Sequence, residues 1–333
     1  MRKAVFLWAN LALAAPLAQA CNQNVAPGQS IQAAIDALPK DNSPQTLCLQ
    51  AGTYNIDGLL HIDRSNITLS GAGDASHILM RDDVEQPVLV IGDYQHPEPQ
   101  AAIRNVVIEN LKLTGNHSAK EFMPALPYLS NSVVIVRRGE QIVFRNLTLD
   151  RCRSACLLTE RQSSNVRIEQ NRITGAMWDG VSFNSTRFVV MRGNSVSHNV
   201  AAAITAENLE DSYISDNQLV DNGSHGAYLS NSYRNVFEDN TINNNKQAGI
   251  YLTCAIRTRS PLICWDNSMS ADNTFKDNTL NDNTFGYAVG VDSAANCAKP
   301  GFKINVWKDN HSNGPNQQYP ALFGRCTTAD PDS

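Results

Sequence analysis

Asparagine recurs in this chain at a fixed interval, and that interval constrains the fold more than any other feature. Asn171, Asn194, Asn217 and Asn240 are spaced 23 residues apart, in rows that superpose without gaps from NVRIEQNRITGAMWDGVSFNSTR onward. Looser rows extend the column backward and forward to Asn146, Asn110, Asn278 and Asn310. Apolar residues alternate within each row with period 2, as in Val166 and Ile168. The pattern predicts a solenoid of about eight coils, built from short strands that bury their inward side chains against neighbouring coils.

The repeat also explains the composition, since 35 of the 333 residues are asparagine. Stacked coils place one asparagine above the next, so the side-chain amides can hydrogen-bond along the column and tolerate the left-handed backbone of a tight turn. We therefore assign none of the column asparagines to catalysis. Asp239, Asp277 and Asp282 lie in the same turns, and we interpret them as turn formers.

The first 20 residues are typical of a secretory signal peptide. Arg2 and Lys3 precede an apolar stretch, and Ala18-Gln19-Ala20 forms an A-x-A cleavage site. The apolar run is too short to span a membrane comfortably, and no later segment is apolar enough. A lipid anchor on Cys21 would fit poorly with Gln19. We expect a secreted or periplasmic protein with one domain over residues 21–333.

The cysteines predict disulfides, and the net charge limits the kinds of molecule that the protein can bind. Eight cysteines follow the signal, and an even number in an exported chain suggests disulfides, although 105 pairings are possible. We expect neighbouring cysteines to pair, as in Cys152 with Cys156 and Cys254 with Cys264. A zinc site is the competing interpretation, but there is no C-x-x-C motif. The net charge of -5 argues against nucleic acid as a partner, and nothing demands an oligomer, so we expect a monomer.

Residues at the start of the mature chain carry a family resemblance. Ser30 to Leu38, SIQAAIDAL, has helical apolar spacing behind a serine N-cap, and AGTY and ITLSGAG follow. This order resembles the entry cap and first coils of the right-handed parallel β-helix superfamily typified by pectin and pectate lyases. The resemblance implies an all-β, right-handed parallel β-helix solenoid of eight to ten coils. Its capping region would cover residues 21–50, with coils over 51–310 and a tail over 311–333.

Two rows carry insertions, over residues 116–131 and 254–271. Each adjoins the equivalent strand of its coil, so both should border the same outer face. Because the coils need no such additions, long loops on one face of a solenoid usually wall a binding surface. We therefore expect a groove between them.

The columns of the repeat predict which side chains line that groove. Val181, Ile204, Ala227 and Ile250 should point inward. Ser182, Thr205, Tyr228 and Tyr251 should point outward, as should Asn184, Glu207, Ser230 and Thr253. The turn before each strand supplies a third column, Asp179, Ala202, His225 and Ala248.

From these columns we select candidate catalytic side chains and candidate sugar-binding side chains. The catalytic candidates are His225, Asp179, Tyr228 and Glu207, because histidine and carboxylates serve as acids and bases. The binding candidates are Tyr251, Lys246, Trp178 and Asn184, because aromatic faces suit sugar rings. Each also has a simpler interpretation, as a turn residue, a packed aromatic or a charge on a solvated face.

The family motifs narrow the chemistry without fixing it. WDG and SHG resemble two motifs of polygalacturonase-type hydrolases, but Ala202-Ala203 stands where an acidic pair belongs, and the Arg-x-Lys motif is missing. The Asp-Pro-His signature of alginate epimerases and the calcium-binding aspartates of pectate lyases are also missing. No cofactor is expected; calcium would have no clear site.

Three functions remain as hypotheses, all with a polysaccharide as partner. The first is an enzyme that performs β-elimination or C5-epimerisation of a uronan, with His225 as base, Lys246 or an arginine as neutraliser, and Tyr228 as acid. The second is a polygalacturonase-like glycoside hydrolase, in which Glu207 would partner Asp179. The third is a non-catalytic periplasmic solenoid that binds carbohydrate or serves a structural role.

Overall fold

The computed structural model describes residues 20–253, 270–290, 297–314 and 325–328. The signal peptide before residue 20, the Cys254 and Cys264 pairing and most of the second insertion lie outside these residues. The described elements are one helix and 25 strands. In chain order they are β1 (Gln23–Val25), α1 (Ile31–Ala37), β2 (Gln45–Leu49), β3 (Gly52–Ile56), β4 (Leu60–Ile62), β5 (Ile67–Met80), β6 (Leu89–Ile91), β7 (Ile103–Thr114), β8 (Phe122–Met123), β9 (Leu126–Ser130), β10 (Val134–Arg137), β11 (Gly139–Asp150), β12 (Leu157–Glu160), β13 (Ser164–Glu169), β14 (Arg172–Thr174), β15 (Val181–Arg192), β16 (Ser195–Ser197), β17 (Ile204–Glu210), β18 (Tyr213–Ser215), β19 (Gln218–Val220), β20 (Ala227–Ser230), β21 (Val236–Glu238), β22 (Ala248–Thr253), β23 (Thr274–Lys276), β24 (Phe285–Val289) and β25 (Val306–Lys308).

The strands pair in parallel with the strand one coil earlier and one coil later, which confirms the predicted solenoid. The front face, as we call it, is formed by β4, β6, β10, β12, the start of β15, β17, β20, β22 and β24. Long strands such as β5 and β11 continue from one face of the coil to the next. The front face therefore has nine described strands in register, within the predicted eight to ten coils.

The core fills the interior of the coils with the side chains that the repeat placed inward. Val181, Ile204, Ala227 and Ile250 are fully buried, as predicted. On another face, aromatic residues stack inside the C-terminal coils, with the Phe237 and Phe275 ring centroids 5.5 Å apart. Each coil thus buries its apolar residues on its neighbours, which is why a single coil would not be stable alone.

The asparagine column is a hydrogen-bonded ladder, as predicted. The Nδ2 of Asn194 donates to Oδ1 of Asn217 at 2.8 Å, and Asn217 donates in the same way to Asn240 at 3.0 Å. The ladder runs from Asn171 to Asn310. Two further ladders, not predicted, run through Asn199, Asn222, Asn245 and Asn283, and through Asn235, Asn273 and Asn305.

The backward extension of the column to Asn146 and Asn110 was wrong by one residue. Asn171 accepts a hydrogen bond from the backbone N–H of Leu147, so Leu147 occupies the ladder position in that coil. Asn146 is one residue earlier and donates to Asn110 at 3.2 Å in a separate, exposed pair. Both have positive φ, of 54° and 53°.

The left-handed turn and the ladder are also separate columns. Asp239, Asp277 and Asp309 have φ between 52° and 56°, and each immediately precedes a ladder position. The ladder asparagines themselves are absent from the positive-φ residues of the described chain. Asparagine is thus selected at the ladder for its amide, whereas aspartate is tolerated in the turn for its left-handed backbone. The prediction that Asp239, Asp277 and Asp282 form turns is confirmed.

The predicted amphipathic helix lies at the N-terminal end of the solenoid. Helix α1 begins after Ser30, whose side chain accepts from the N–H of Ala33, and buries Ile31, Ala34 and Ile35. Three disulfides join cysteines that are neighbours in the sequence, Cys21–Cys48, Cys152–Cys156 and Cys297–Cys326. No helix among the described residues has the length and hydropathy to cross a bilayer.

Candidate functional site

The first insertion forms a wall on the front face. Its strands β8 and β9 make an antiparallel hairpin. Met123 and Leu129 of the hairpin pack on Val90 and Ile135, the outward residues of β6 and β10, in a buried cluster separate from the main core. We call this hairpin, with the rest of residues 116–131, the hairpin wall. Apolar packing fixes it rigidly to the sheet.

A cleft opens beside the hairpin wall where the sheet is no longer covered. It has a volume of about 550 Å³, within the range of small-molecule sites. Its floor is the front face from β12 to β17, and its side is the wall. The lining includes Glu121, Phe122, Tyr128, Ser130, Ser154, Leu158, Glu160, Arg161, Trp178, Asp179, Ser182, Asn184, Thr205 and Glu207.

Four of the predicted site residues are therefore brought together in one cleft. Asp179 and Trp178 come from the turn before β15, Asn184 from β15 and Glu207 from β17. Asn184 and Glu207 are partners in adjacent coils, as the column predicted. Trp178 is 38% exposed and Glu207 6% exposed. An exposed aromatic plane beside buried polar groups is the usual composition of a sugar-binding cleft.

Asp179 is held in a defined orientation. Its Oδ1 accepts from the backbone N–H of Ala202 at 2.9 Å, and its Oδ2 accepts from the hydroxyl of Ser182 at 3.5 Å. Gly180 cannot be replaced without conflict, because a Cβ there would meet Val196 at 2.3 Å. The Asp-Gly pair thus does more than form a turn: it directs the carboxylate into the cleft.

Glu160 of β12 is a further carboxylate in the cleft, which the columns of the repeat did not predict. Thr159 pairs with Phe183, so Glu160 continues the column of Asn184 and Glu207. Its Oε1 accepts from Nε of Arg137 at 2.6 Å. Burial raises the pKa of Glu160 above its ordinary value, although the Arg137 guanidinium opposes the shift.

Arg137 is fully buried and joins Glu160 to the loop that follows β6. Its guanidinium donates to the carbonyls of Asp93, His96 and Pro97 at 2.7 to 2.8 Å. The same guanidinium lies 5.3 Å from the ring centroid of Tyr128 in the hairpin wall. Arg137 therefore fixes Glu160, the loop and the wall relative to one another.

His225, Tyr228 and Tyr251 form an aromatic cluster in the next coils of the front face. The rings of His225 and Tyr251 are stacked at 4.6 Å, and those of Tyr228 and Tyr251 are 5.4 Å apart. Tyr228 and Tyr251 are partners in register, as predicted. His225 is only 7% exposed.

The hydrogen bonding of His225 limits its chemistry. Its Nδ1 lies 3.2 Å from the backbone nitrogen of Ala248, whose N–H is the donor. A neutral His225 must therefore carry its proton on Nε2. In that state the ring has no unoccupied nitrogen lone pair with which to take a proton.

The remaining polar groups on this face include two without partners. Among described atoms, the buried hydroxyls of Thr205 and Ser230 have no hydrogen-bond partner, and both lie on the outward columns beside Glu207. Buried hydroxyls are normally satisfied, and of these two only Thr205 lines the cleft. Lys246 lies exposed in the turn before β22, so its role stays a prediction.

The cleft carries no evident metal centre. No group of three or more His, Cys, Asp or Glu in the described part of the chain is arranged to hold a metal ion. The front-face carboxylates are instead distributed over separate coils.

The comparisons with known proteins agree with this architecture. Residues 100–219, 131–260 and 209–318 match the family model described as "Right handed beta helix region". No curated protein matches this sequence. An alginate lyase from Paenibacillus has a similar structure, with 12% identity, a TM-score of 0.64, and coverage of 92% of this chain and 99% of that one.

Two further solved structures resemble this chain in fold. The mannuronan C-5 epimerase A-module from Azotobacter vinelandii has 16% identity and a TM-score of 0.54 over 90% of this chain and 98% of that one. The catalytic domain of a GH87 alpha-1,3-glucanase, solved with nigerose, has 14% identity and a TM-score of 0.57 over 93% and 68%. At such identities the likeness concerns the fold.

Proposed function

The chain belongs to the right handed beta helix region family, and on that premise we propose that its front-face cleft binds a polysaccharide chain and hydrolyses a glycosidic bond. The observation that carries the proposal is that Glu160, Asp179 and Glu207 line one cleft together with Trp178 and Phe122. Glycoside hydrolysis needs two carboxyl groups on opposite sides of the bond, and sugar rings bind on aromatic faces.

The roles follow from the surroundings of each carboxyl. Glu160, whose pKa is raised by burial, would donate its proton to the leaving glycosidic oxygen as the bond to the anomeric carbon breaks. Asp179 would accept a proton from the water that attacks the anomeric carbon. Glu207 and the hydroxyl of Thr205, which both line the cleft, would bind sugar hydroxyls. Proton donation by Glu160 and proton uptake by Asp179 balance over one turnover.

β-Elimination or C5-epimerisation of a uronan is the second candidate, favoured by the aromatic cluster. Either reaction needs a base for the C5 proton. Since His225 already accepts a hydrogen bond at Nδ1, we assign this role to the deprotonated hydroxyl of Tyr228, in contrast to the sequence-based role of His225. In elimination, Tyr228 would take the C5 proton and pass it to the leaving glycosidic oxygen as the bond to C4 breaks. The related alginate lyase and mannuronan epimerase support this alternative only through their fold.

One assay distinguishes the two enzymatic candidates from each other and from a non-catalytic solenoid. The purified mature protein is incubated with alginate, polymannuronate and α-1,3-glucan, while new reducing ends and unsaturated-uronate absorbance are recorded. Reducing ends without absorbance support hydrolysis, and both signals together support elimination. Proton exchange at C5 in deuterated water without cleavage supports epimerisation. Binding with none of these signals would contradict an enzymatic role.

We also propose that the protein is exported. The apolar N-terminal stretch and three disulfides in the described chain support this address. Secretion of a reporter fused after residue 20 would test it.

A further inference from the structure

The outward residues of the front face change from fully buried to partly exposed between β10 and the start of β15. Val90 of β6 and Ile135 of β10 are outward residues, yet both are fully buried by the hairpin wall. One coil later Leu158 is only partly buried, and Ser182 beyond it lines the cleft. The wall therefore ends the cleft on the side of the N-terminal coils.

The closure is built firmly. The Tyr128 hydroxyl donates to the carbonyls of Tyr94 and Gln95 at 3.1 and 2.7 Å, which joins the wall to the loop after β6. Arg137 binds three carbonyls of the same loop from below. The part of the front face that a longer ligand would need to contact is thus covered by the hairpin wall and the loop after β6, which are hydrogen-bonded to each other.

From this closure we infer that the enzyme attacks polysaccharides at a chain end rather than at internal bonds. The inference rests on the proposed function and specifies its mode of action. Coils stack about 4.8 Å apart, close to the length of one sugar in an extended chain, so a glycan along the axis would place successive sugars over successive coils. Such a chain must stop at Tyr128 and Phe122.

The position of the carboxyl groups predicts the product size. Glu160 lies in the coil that adjoins the wall, and Glu207 lies two coils further along the same column. Only one or two sugars fit between the wall and a bond placed over these coils. Each cleavage should therefore release a monosaccharide or a disaccharide.

The test compares viscosity with bond cleavage for the wild-type protein on alginate, and product length on both alginate and α-1,3-glucan. When the viscosity of alginate has fallen by half, we expect at least ten times as many new reducing ends as an internally cleaving control enzyme has produced at the same viscosity. One short product should dominate from the first time point. An early fall in viscosity with a ladder of oligosaccharides would overturn the inference and leave the proposed function intact.

Two variants make the test specific to the wall. Replacing residues 118–129 with Gly-Ser-Gly should open the cleft and produce longer oligosaccharides, because β10 retains its backbone pairing with β6 and β12. If that variant does not fold, Phe122→Ala removes only an exposed ring at the rim, 41% exposed, and should at least double the share of products longer than a disaccharide. An unchanged product distribution in a folded variant would overturn the inference.

If neither polymer is cleaved, the proposed function fails, and binding tests the closed cleft by itself. Alginate and α-1,3-glucan oligosaccharides are coupled to beads through the reducing end in one set and through the non-reducing end in the other. A closed cleft should retain the protein on only one of the two sets. Retention on both sets, or on neither, would overturn the inference.

Discussion

At the scale of single residues, identical side chains have different roles because their backbone positions differ. Asp277 is exposed, with φ at 56° in a turn column that repeats along the solenoid. Asp179 instead lines the cleft and accepts hydrogen bonds from Ala202 and Ser182. Aspartate is therefore structural in one place and a candidate base in the other.

The substitution Asp179→Asn tests this distinction. Asparagine can still accept the N–H of Ala202, so the fold should persist, but it cannot take a proton. We expect kcat to fall about 100-fold or more, with the thermal midpoint changed little. The matched control Asp277→Asn keeps a residue type that tolerates a left-handed backbone. Equal losses of activity in the two variants would contradict the role of Asp179.

Arg137→Met tests the buried contact between Arg137 and Glu160. When Glu160 is ionised, removing the guanidinium leaves its carboxylate buried without a partner, which should cost about 3–5 kcal/mol in the free energy of unfolding. Since burial already raises the pKa of Glu160, the folded variant should prefer the protonated acid. The loss should therefore be larger at pH 8 than at pH 5.

Urea unfolding of wild type and variant at both pH values measures this difference. The control repeats the comparison with Glu160→Gln in place of wild type. Because neither protein then contains the titrating group, Arg137→Met should lower the free energy of unfolding equally at pH 5 and pH 8. A loss of equal size at pH 5 and pH 8 would show that the three backbone hydrogen bonds of Arg137 account for the destabilisation.

At the scale of elements, the ladder satisfies buried polar groups in the turns that the strand pairing does not reach. Asn217 donates to Asn240 and to the carbonyls of Met191 and Ser215, and accepts from Asn194. Strands of only three residues, such as β18 and β19, gain a fixed register from these bonds. The turns between strands are thus held together from inside.

Asn217→Ala should destabilise the protein strongly for that reason. Each buried group that loses its partner costs about 1–3 kcal/mol, and several are affected. Asn55→Ala is the matched control, since Asn55 is exposed on β3 and surface changes usually stay within about 0.5 kcal/mol. Chemical denaturation of the two variants gives the comparison. A loss below about 1 kcal/mol for Asn217→Ala would contradict the structural role of the ladder.

The regularity of the coils determines how much of the fold the sequence could predict. The rows from Asn165 onward repeat without gaps, so the inward and outward columns from Val181 to Thr253 were correct. Between Leu157 and Val181 the interval is 24 residues, because Arg161 and Gln162 are both left-handed where the next coil has only Ser185. That one extra turn residue places Glu160, and not Arg161, in the column of Asn184, and so concealed Glu160 from a 23-residue repeat.

The cleft was predictable only in part for a different reason. The insertion at residues 116–131 indicated a wall, but its packing on Val90 and Ile135 depends on tertiary contacts that no periodicity encodes. Arg137 had no motif to identify it, because its partners are carbonyls of a distant loop. Periodicity thus predicts the repeated part of a solenoid and not what is added to it.

At the scale of the whole molecule, stability should vary along the axis, because each coil contacts only its neighbours. The C-terminal coils depend on a strap of residues 325–328. Asn305 donates to the Cys326 carbonyl at 3.0 Å, and Thr328 donates back to Asn305 at 2.8 Å. The Cys297–Cys326 disulfide fixes this strap over the last coil.

Removing that disulfide should therefore loosen one end and not the middle. Cys297 and Cys326 are 29 residues apart, so the double change to serine should cost about 3–4 kcal/mol by the loop-entropy estimate. Hydrogen exchange should accelerate in β25 and β23 and remain unchanged from β12 to β20. Cleavage activity should persist, because the cleft lies several coils away. The double change of Cys152 and Cys156 to serine is the contrast. This disulfide joins cysteines only four residues apart, but Ser154 and Ala155 between them line the cleft. Its removal should therefore reduce activity. Uniform acceleration of exchange over all coils in the first variant would show that the solenoid unfolds as one unit.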